Sequence, residues 1–163
     1  MYKRLFLRAF FRFVNRIIVV PAFQSGLGRI ISNRLTGNIM VLGIVGRKTG
    51  KIHYTPVSYA QIEERIYCYQ GKEMKGQWYL NLLANPKVEV LLPTGRFSGH
   101  GEEVSDTAEK LQAIRQILLG SGLNRSMYGF DPKVAPDEVV REKIRDIPVV
   151  RIRLDHAVPL RIE

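Results

Sequence analysis

The sequence Ile39-Met40-Val41-Leu42-Gly43-Ile44-Val45 runs directly into Gly46-Arg47-Lys48-Thr49-Gly50-Lys51. The first stretch is nearly all apolar, which is typical of a buried β-strand. The second is a predicted tight turn that brings two glycines and three cationic side chains together. Such a turn presents backbone N–H groups and positive charge at one place, which suits an anionic group such as a phosphate or a carboxylate.

A second strand is predicted directly after the turn, at residues 53–62. Its side chains alternate between two faces, and one face carries Tyr54, Pro56, Ser58 and Ala60. Proline has no N–H to donate to a neighbouring strand, so Pro56 indicates an edge or a bulge at that point. The hairpin is therefore predicted to contain one incompletely paired strand.

The remainder of the chain alternates short strand patterns with two helical patterns. Strands are predicted at 66–70, 88–92, 97–104 and 147–154. Helices are predicted at 77–83 and from the N-cap Asp106, with Glu109 in capping-box spacing, to about Leu119. Residues 120–140 read as a mobile loop. Five or six antiparallel strands with short helices predict an α+β fold built on a closed or split β-barrel.

The predicted helix at 77–83 begins with an aromatic pair, Trp78 and Tyr79. Its first N–H groups favour an anion, and the indole of Trp78 offers a flat apolar surface. A flat wall together with an anion-holding turn suits a nucleotide-like or flavin-like cofactor. Taken alone, Trp78 would more often be a core residue. Taken alone, Arg47 and Lys48 would more often belong to a solvent-exposed turn with no ligand. The prediction therefore depends on their joint occurrence.

Charge is distributed unevenly along the chain. The formal net charge is +10, and no Asp or Glu occurs before Glu63. The basic residues that precede Glu63 account for the whole excess: Lys3, Arg4, Arg8, Arg12, Arg16, Arg29, Arg34, Arg47, Lys48 and Lys51. A positive end of this kind indicates an anionic partner, for which anionic lipid, nucleic acid and a polyanionic cofactor are the candidates.

The start of the chain combines this charge with an apolar face. On a helix, one polar stripe is formed by Arg4, Arg8, Arg12 and Arg16, opposite Phe6, Phe10, Phe13, Val14 and Ile17. One interpretation is a helix that lies on an anionic membrane surface through residues 2–20. The other is a helix that packs on the protein with its basic face in solvent. A membrane span and a signal peptide both fit poorly, because arginines interrupt the apolar run.

We expect Pro21 to end this helix and residues 24–35 to form a second short helix. Residues 1–36 are then a basic amphipathic helical extension, and residues 37–163 a barrel domain that binds the cofactor. The one cysteine, Cys68, and three histidines outside metal-ligand spacing predict neither a disulfide framework nor a metal site. We expect a cytoplasmic protein, peripheral at the inner face of the cell membrane under the first interpretation, that does not bind nucleic acid.

The order and spacing of these motifs resemble the deazaflavin-dependent nitroreductase family. The matching segments are the turn and strand at 46–56, Trp-Tyr-x-Asn-Leu-x-x-Asn-Pro-x-Val at 78–88, and Arg-x-Ile-Pro-Val-Val at 145–150. Members of the family are small split β-barrel proteins related to the FMN-binding pyridoxamine-phosphate-oxidase fold. The resemblance implies a split β-barrel that binds coenzyme F420, and a homodimer, which is frequent in such barrels.

The resemblance also implies which residues hold the cofactor. Residues 47–49 match the segment that contacts the F420 phosphate and tail, and residues 53–58 match the strand along the deazaflavin. Residues 69–72 match a loop that grips the cofactor, and residues 77–81 the helix start that faces it. The implied cofactor-binding residues are Arg47, Lys48, Thr49, His53, Tyr54, Thr55, Pro56, Val57, Ser58, Tyr69, Gln70, Gly71, Lys72, Gln77, Trp78, Tyr79, Leu80 and Asn81.

The implied chemistry is hydride transfer from the reduced deazaflavin to a small-molecule acceptor, with the protein positioning both. Tyr128 could close over the site and donate a proton, although Tyr54 and Tyr69 are equally arguable. The basic amphipathic start of the chain favours a lipophilic acceptor such as a quinone, a nitro compound or an unsaturated lipid. Two alternatives stay open: an FMN-dependent oxidoreductase of the same fold, and a non-catalytic membrane-peripheral protein that binds a cofactor or lipid.

Overall fold

Six antiparallel strands close into a barrel. The computed structural model describes residues 14–33, 35–71, 76–122 and 129–158. The strands are β1 Ile39–Val45, β2 Ile52–Ile62, β3 Arg65–Tyr69, β4 Lys87–Leu92, β5 Gly95–Glu103 and β6 Val149–Val158. Their order around the barrel is β1-β2-β3-β6-β5-β4. The predicted α+β barrel is confirmed.

Short helices surround the barrel. They are a π-helical turn at Asn15–Val19, then α1 Val20–Gln24, α2 Gly28–Ile31, α3 Gln77–Ala84, α4 Thr107–Leu119 and α5 Asp137–Ile144. Helix α4 begins as predicted, because the Asp106 side chain accepts a hydrogen bond from the Glu109 N–H at 2.7 Å. The predicted cap is therefore confirmed.

The barrel interior is an apolar cluster to which every strand contributes. In β1, Met40, Leu42 and Ile44 point inward, as the two-residue period of a strand requires. Helix α3 packs on this cluster through Leu82. Gly101 of β5 makes room for it, because a Cβ there would lie 2.7 Å from a methyl carbon of Leu82.

Two helices cover the outside of the barrel. Helix α4 packs Ile114 and Ile117 against outward-facing Tyr67 of β3. Helix α1 packs Val20 and Phe23 against another outer patch, formed by Val41 and Leu91. Barrel packing thus crosses the predicted division at residue 36. The arginine stripe cannot be compared with this packing, since residues 1–13 and the side chain of Arg16 lie outside the description.

Three predictions about helices were wrong. Pro21 does not end a helix but lies in the first turn of α1, where its missing N–H needs no partner. Residues 24–35 contain only one helical turn, α2. Helix α5 begins inside the stretch predicted as a loop, and it buries Val140 and Ile144 on one face.

Strand β2 changes its neighbours along its length. Its first part, 52–58, pairs with β1, whereas only 59–62 pairs with β3. Pro56 therefore has one neighbouring strand, which confirms the predicted edge. The unpaired side of β2 at 52–58 is where the barrel is split.

Candidate functional site

A cavity of about 870 Å³ lies between the β1–β2 turn, the start of β2, helix α1 and helix α3. Most of its walls come from two local structures, the hairpin and α3. Its lining residues are Val20, Gln24, Ile44, Gly46, Arg47, Lys48, Thr49, Ile52, His53, Tyr54, Thr55, Pro56, Gln77, Trp78 and Asn81.

The turn has the tight geometry that its glycines predict. The Gly46 N–H donates to the Lys51 carbonyl at 2.8 Å, and the Gly50 N–H donates to the Gly46 carbonyl at 2.8 Å. Gly50 adopts the left-handed conformation at φ +67°, which favours glycine. Gly46 is required for close approach, since a Cβ there would lie 2.7 Å from Thr49 Oγ1 and 2.8 Å from the His53 ring.

Arg47 is tied to helix α3. Its Nη1 donates to Asn81 Oδ1 at 2.8 Å and to Gln77 Oε1 at 3.1 Å, and its backbone N–H also donates to Asn81 Oδ1 at 3.2 Å. Asn81 is buried, so the turn is held against a rigid side chain. Nε and Nη2 of Arg47 make no hydrogen bond within the described part of the chain, so these donors remain for a ligand.

The charge of the cavity wall is positive. Arg47 and Lys48 line it, and none of the lining residues carries a carboxylate. Both side chains are exposed, and neither forms an ion pair within residues 14–33, 35–71, 76–122 and 129–158. The rim formed by the turn can therefore attract an anionic group.

The cavity lining also contains apolar and aromatic side chains. Trp78 is half-buried, and its ring meets that of Tyr79 edge to face with centroids 6.1 Å apart. Ile44 of β1 and Val20 of α1 add aliphatic surface. A planar ring system would find a matching wall here.

Tyr54 connects the cavity to a polar network behind it. Its hydroxyl donates to Glu89 Oε2 at 2.9 Å, and Glu89 pairs with Arg96. Burial and the hydrogen bond to Glu89 raise the pKa of Tyr54. Gly43 gives the ring its place, because a Cβ there would lie 2.7 Å from Tyr54 Cε1.

His53 is held on one side by the turn. Its Nε2 lies 3.2 Å from Thr49 Oγ1, and that hydroxyl also accepts the Lys51 N–H at 3.3 Å. The imidazole is exposed to the cavity. The turn thus positions a titratable ring as well as cations.

The structure brings many of the predicted cofactor-binding residues to this one cavity. They are Arg47, Lys48, Thr49, His53, Tyr54, Thr55, Pro56, Gln77, Trp78 and Asn81. Their assignment to the cofactor stays a prediction.

Other predicted residues lie away from the cavity lining. The Tyr79 hydroxyl donates to Glu103 Oε2 at 2.7 Å, and burial, followed by this bond, raises its pKa to about 12. Val57 and Leu80 pack on the barrel interior, and Tyr69 packs with the cluster under α4.

Ser58, Gln70 and Gly71 also lie outside the lining. The Gln70 side chain is packed against Gly76, and its Oε1 is buried without a hydrogen bond from any described residue. Lys72 and the predicted proton donor Tyr128 lie outside the described residues.

Sequence reasoning missed several lining residues. They are Val20, Gln24, Ile44, Gly46 and Ile52. Gly46 belongs to the quoted turn and Ile52 directly precedes the predicted strand, so the sequence could have identified both as lining residues. Val20 and Gln24 are spaced i, i+4 on one helical face, but only the docking of α1 places that face at the cavity.

The fold and the cavity together define a class: a split β-barrel protein that holds a flat, anionic cofactor. The residues present fit coenzyme F420, since a cationic rim without carboxylates suits its phosphate and an aromatic wall suits its deazaflavin. A model of the F420H2-dependent quinone reductase family matches residues 17–126, so the chain belongs to that family. It is an F420H2-dependent oxidoreductase with coenzyme F420 as its cofactor, which confirms the resemblance seen in the sequence.

Solved structures support the fold. A conserved hypothetical protein from Mycobacterium tuberculosis is 21% identical over 74% of this chain and 75% of its own, with a TM-score of 0.56. An F420-H2 dependent reductase, FDR-A, is 18% identical over 75% of this chain and 99% of its own, with a TM-score of 0.52. A structure described as a domain-swapped dimer is 16% identical over 94% of this chain and 100% of its own, with a TM-score of 0.53. A comparison with curated proteins found no match.

Two further observations concern membrane and metal. Within the described residues, no helix has both the length and the apolar character needed to cross a membrane. The same residues contain no group of three or more His, Cys, Asp or Glu side chains that could hold a metal ion.

Proposed function

We propose that this enzyme reduces a lipophilic quinone with F420H2 bound in the cavity between the β1–β2 turn and helix α3. The observation that carries the proposal is a cavity lining that combines cationic side chains of the turn with apolar and aromatic side chains and contains no carboxylate. A cofactor with a charged tail and a neutral ring has the same two kinds of group. The family description, F420H2-dependent quinone reductase, supplies the acceptor class.

The turn holds the anionic part of the cofactor. Arg47 is preset by its bonds to Gln77 and Asn81, so its free donors need little reordering on binding. Lys48 adds a second charge, and charge-assisted hydrogen bonds of this kind are roughly twice as strong as neutral ones.

The deazaflavin ring of the cofactor lies between the open edge of β2 and Trp78. When bound, F420H2 supplies a hydride, which is chemistry that the protein side chains lack. The protein positions the ring and limits access of water. Residues 53–56 and Trp78 serve this purpose, since they line the cavity.

The acceptor approaches past helix α1. Val20 and Gln24 line the cavity there. The segments before β1 and the first residue of β2 carry apolar side chains that are each at least half exposed: Ile17, Ile18, Leu27, Ile30, Leu35 and Ile52. We propose that these side chains, with the basic residues at 2–20, rest on anionic lipid at the inner face of the cell membrane, where the enzyme receives a membrane-dissolved quinone.

A homodimer is a further part of the proposal. Support comes from the fold neighbour that is described as a domain-swapped dimer and matches 94% of this chain. Static light scattering of the purified protein is the direct measurement of its mass.

The cationic rim gives the first test. Lys48→Ala removes one charge-assisted contact, which costs roughly 1.5–3 kcal/mol. We therefore expect the Kd for F420 to rise about tenfold or more in a calorimetric titration at low salt. Lys133→Ala is the matched control, because Lys133 is exposed and lies outside the cavity lining.

Equal affinity in the Lys48 and Lys133 variants would place the anionic group elsewhere. Binding of FMN in preference to F420 by the wild-type protein would overturn the assignment of the cavity to F420. Wild-type protein that binds F420 but does not turn over a lipophilic quinone would overturn the acceptor class alone.

A further inference from the structure

We infer that His53 is the general acid of the reaction and donates the proton that completes quinone reduction. The inference rests on the proposed function, because it needs a quinone beside the cofactor in the same cavity. It adds a catalytic role to a residue that the family resemblance implies only as a contact of the cofactor.

The first argument is the small number of proton donors in the cavity. Among its lining residues, the titratable side chains are Arg47, Lys48, His53 and Tyr54. A guanidinium keeps its proton at any physiological pH, so Arg47 is excluded. General acids work best when they titrate near the operating pH, and imidazole is the side chain of that kind.

The tyrosines suggested by the sequence are less suitable. The Tyr54 hydroxyl already donates to Glu89, and burial and that carboxylate raise the pKa of Tyr54. Loss of its proton would leave two negative oxygens 2.9 Å apart. Tyr69 packs with the cluster under α4, away from the cavity lining.

The second argument is the way the turn holds the ring. Thr49 Oγ1 accepts the Lys51 N–H, so its own proton is available for His53 Nε2. In the imidazolium, Nε2–H donates to the same oxygen, and it still does so after the ring has given up its Nδ1 proton. Nδ1 makes no hydrogen bond with the described residues, so it is the nitrogen left for a substrate.

The charges around the ring fit this role. The turn contributes Arg47, Lys48 and Lys51, and the neighbouring strand residue Tyr54 is neutral at physiological pH. Helix α3 faces the cavity with Gln77, Trp78 and Asn81, and helix α1 with Val20 and Gln24, none of which titrates. The positive turn attracts the quinone oxygen as it becomes negative, which brings that oxygen to the side of His53.

The reaction balances with this proton. The quinone takes up two electrons and one hydrogen as hydride from F420H2, and one of its oxygens gains negative charge. That oxygen forms an O–H bond as the Nδ1–H bond of the His53 imidazolium breaks, which gives the hydroquinone and a neutral imidazole. Solvent returns a proton to the exposed ring, and the second proton of F420H2 passes to solvent.

The test compares two histidines. His53→Asn keeps a polar group near Thr49 but removes the proton donor, so we expect kcat with a short-chain benzoquinone to fall about 100-fold. In wild-type protein kcat should fall as the pH rises, because the proton donor is lost, and this limb should be missing in the variant. His100→Asn is the control. His100 lies on β5 outside the cavity lining, where it pairs with Asp155 of β6.

Two measurements separate chemistry from binding. In F420 titrations, the Kd of His53→Asn should lie within about threefold of the wild-type value. A variant whose site had collapsed would bind F420 more weakly than that. Nitrogen-15 spectra of the imidazoles, recorded with oxidised F420 bound, should show the His53 Nδ1 resonance shift when the hydroquinone is added, and the His100 resonances stay in place.

Wild-type kcat and an unchanged pH profile in His53→Asn would overturn the inference. A pH limb that is lost in Tyr128→Phe and retained in His53→Asn would assign the proton to Tyr128 instead. Failure of wild-type protein to bind F420 would be a different result, because it would overturn the proposed function before any proton donor is considered.

Discussion

Neighbouring residues at the start of helix α3 have separate roles. Trp78 faces the cavity, whereas Tyr79 turns to the barrel side and donates to Glu103. Asn81, one turn on from Trp78, accepts two of the three hydrogen bonds that Arg47 donates to this helix. A helix rotates by about 100° per residue, so a motif of adjacent aromatic residues cannot form one flat wall.

Trp78 gives a test at this scale. Trp78→Ala removes the aromatic wall, and we expect the fold to remain and the free energy of F420 binding to weaken by roughly 0.5–1.5 kcal/mol, about 2- to 10-fold in Kd. Titration calorimetry measures the affinity, and circular dichroism melting measures the fold. Leu82→Ala is the contrasting variant on the same helix, since Leu82 is buried and its truncation should cost about 2–5 kcal/mol of stability.

Unfolded Trp78→Ala protein would show that Trp78 is a core residue, and the binding role would fail. A folded variant with unchanged affinity would also remove Trp78 from the cofactor site.

The sequence was informative about those site residues that lie close together in the chain. The turn at 46–51 and the next strand residues are local, so spacing alone predicts that they meet. Val57, Tyr69 and Tyr79 were included as parts of matching segments, but the structure packs them in hydrophobic clusters and not in the cavity lining. Val20 could not be predicted, because its place depends on tertiary packing of α1.

Helices and strands were likewise predicted correctly where the local sequence signal is strong. Strand β1 has the predicted bounds, because a continuous apolar run that ends at a glycine turn is a strong local signal. Helix α5 was missed because its eight residues lie in a loop-like context and only Val140 and Ile144 mark an apolar face. The reading of Pro21 was wrong because proline is equally compatible with the first turn of a helix.

The docking of α1 can be tested as an element. Phe23 is 3% exposed, and its ring lies within 2.9 Å of where a Cβ on Gly28 would be. Phe23→Ala should lower the free energy of unfolding by about 3–5 kcal/mol in urea denaturation. Leu27→Ala, in the same segment but 54% exposed, should change it by less than about 0.5 kcal/mol.

Equal stabilities of the Phe23 and Leu27 variants would mean that α1 is not docked on the barrel in solution. The cavity would then lack Val20 and Gln24 as walls.

At the scale of the whole molecule, positive charge and exposed apolar surface occur in the same part of the chain. The ten basic residues before Glu63 account for the formal charge of +10. The exposed apolar residues of the π-helical turn, α1–α2 and their connections follow the predicted arginine stripe directly. One surface for anionic lipid would combine both properties.

Vesicle binding tests this surface. Full-length protein should pellet with phosphatidylglycerol vesicles at low salt, and a variant with Arg4, Arg8, Arg12 and Arg16 changed to Gln should bind much less. Each arginine contributes on the order of 1 kcal/mol near anionic lipid, and salt screens the attraction. Substitution is preferable to truncation before Asn38, because truncation would also remove the buried Phe23.

Phosphatidylcholine vesicles are the control for charge. Equal binding to both kinds of vesicle, or no binding of full-length protein to either, would contradict a membrane role for the arginines and favour packing on the barrel.

The change of partner along β2 has a consequence for the protein without its cofactor. Residues 52–58 have a neighbouring strand on one side only, and an open strand edge is a template on which another chain can add a strand. Pro56 interrupts that template because it has no N–H, and the charged turn beside it disfavours close association of two copies. The edge at which we propose that the cofactor binds is therefore protected against self-assembly, and bound F420 would complete that protection.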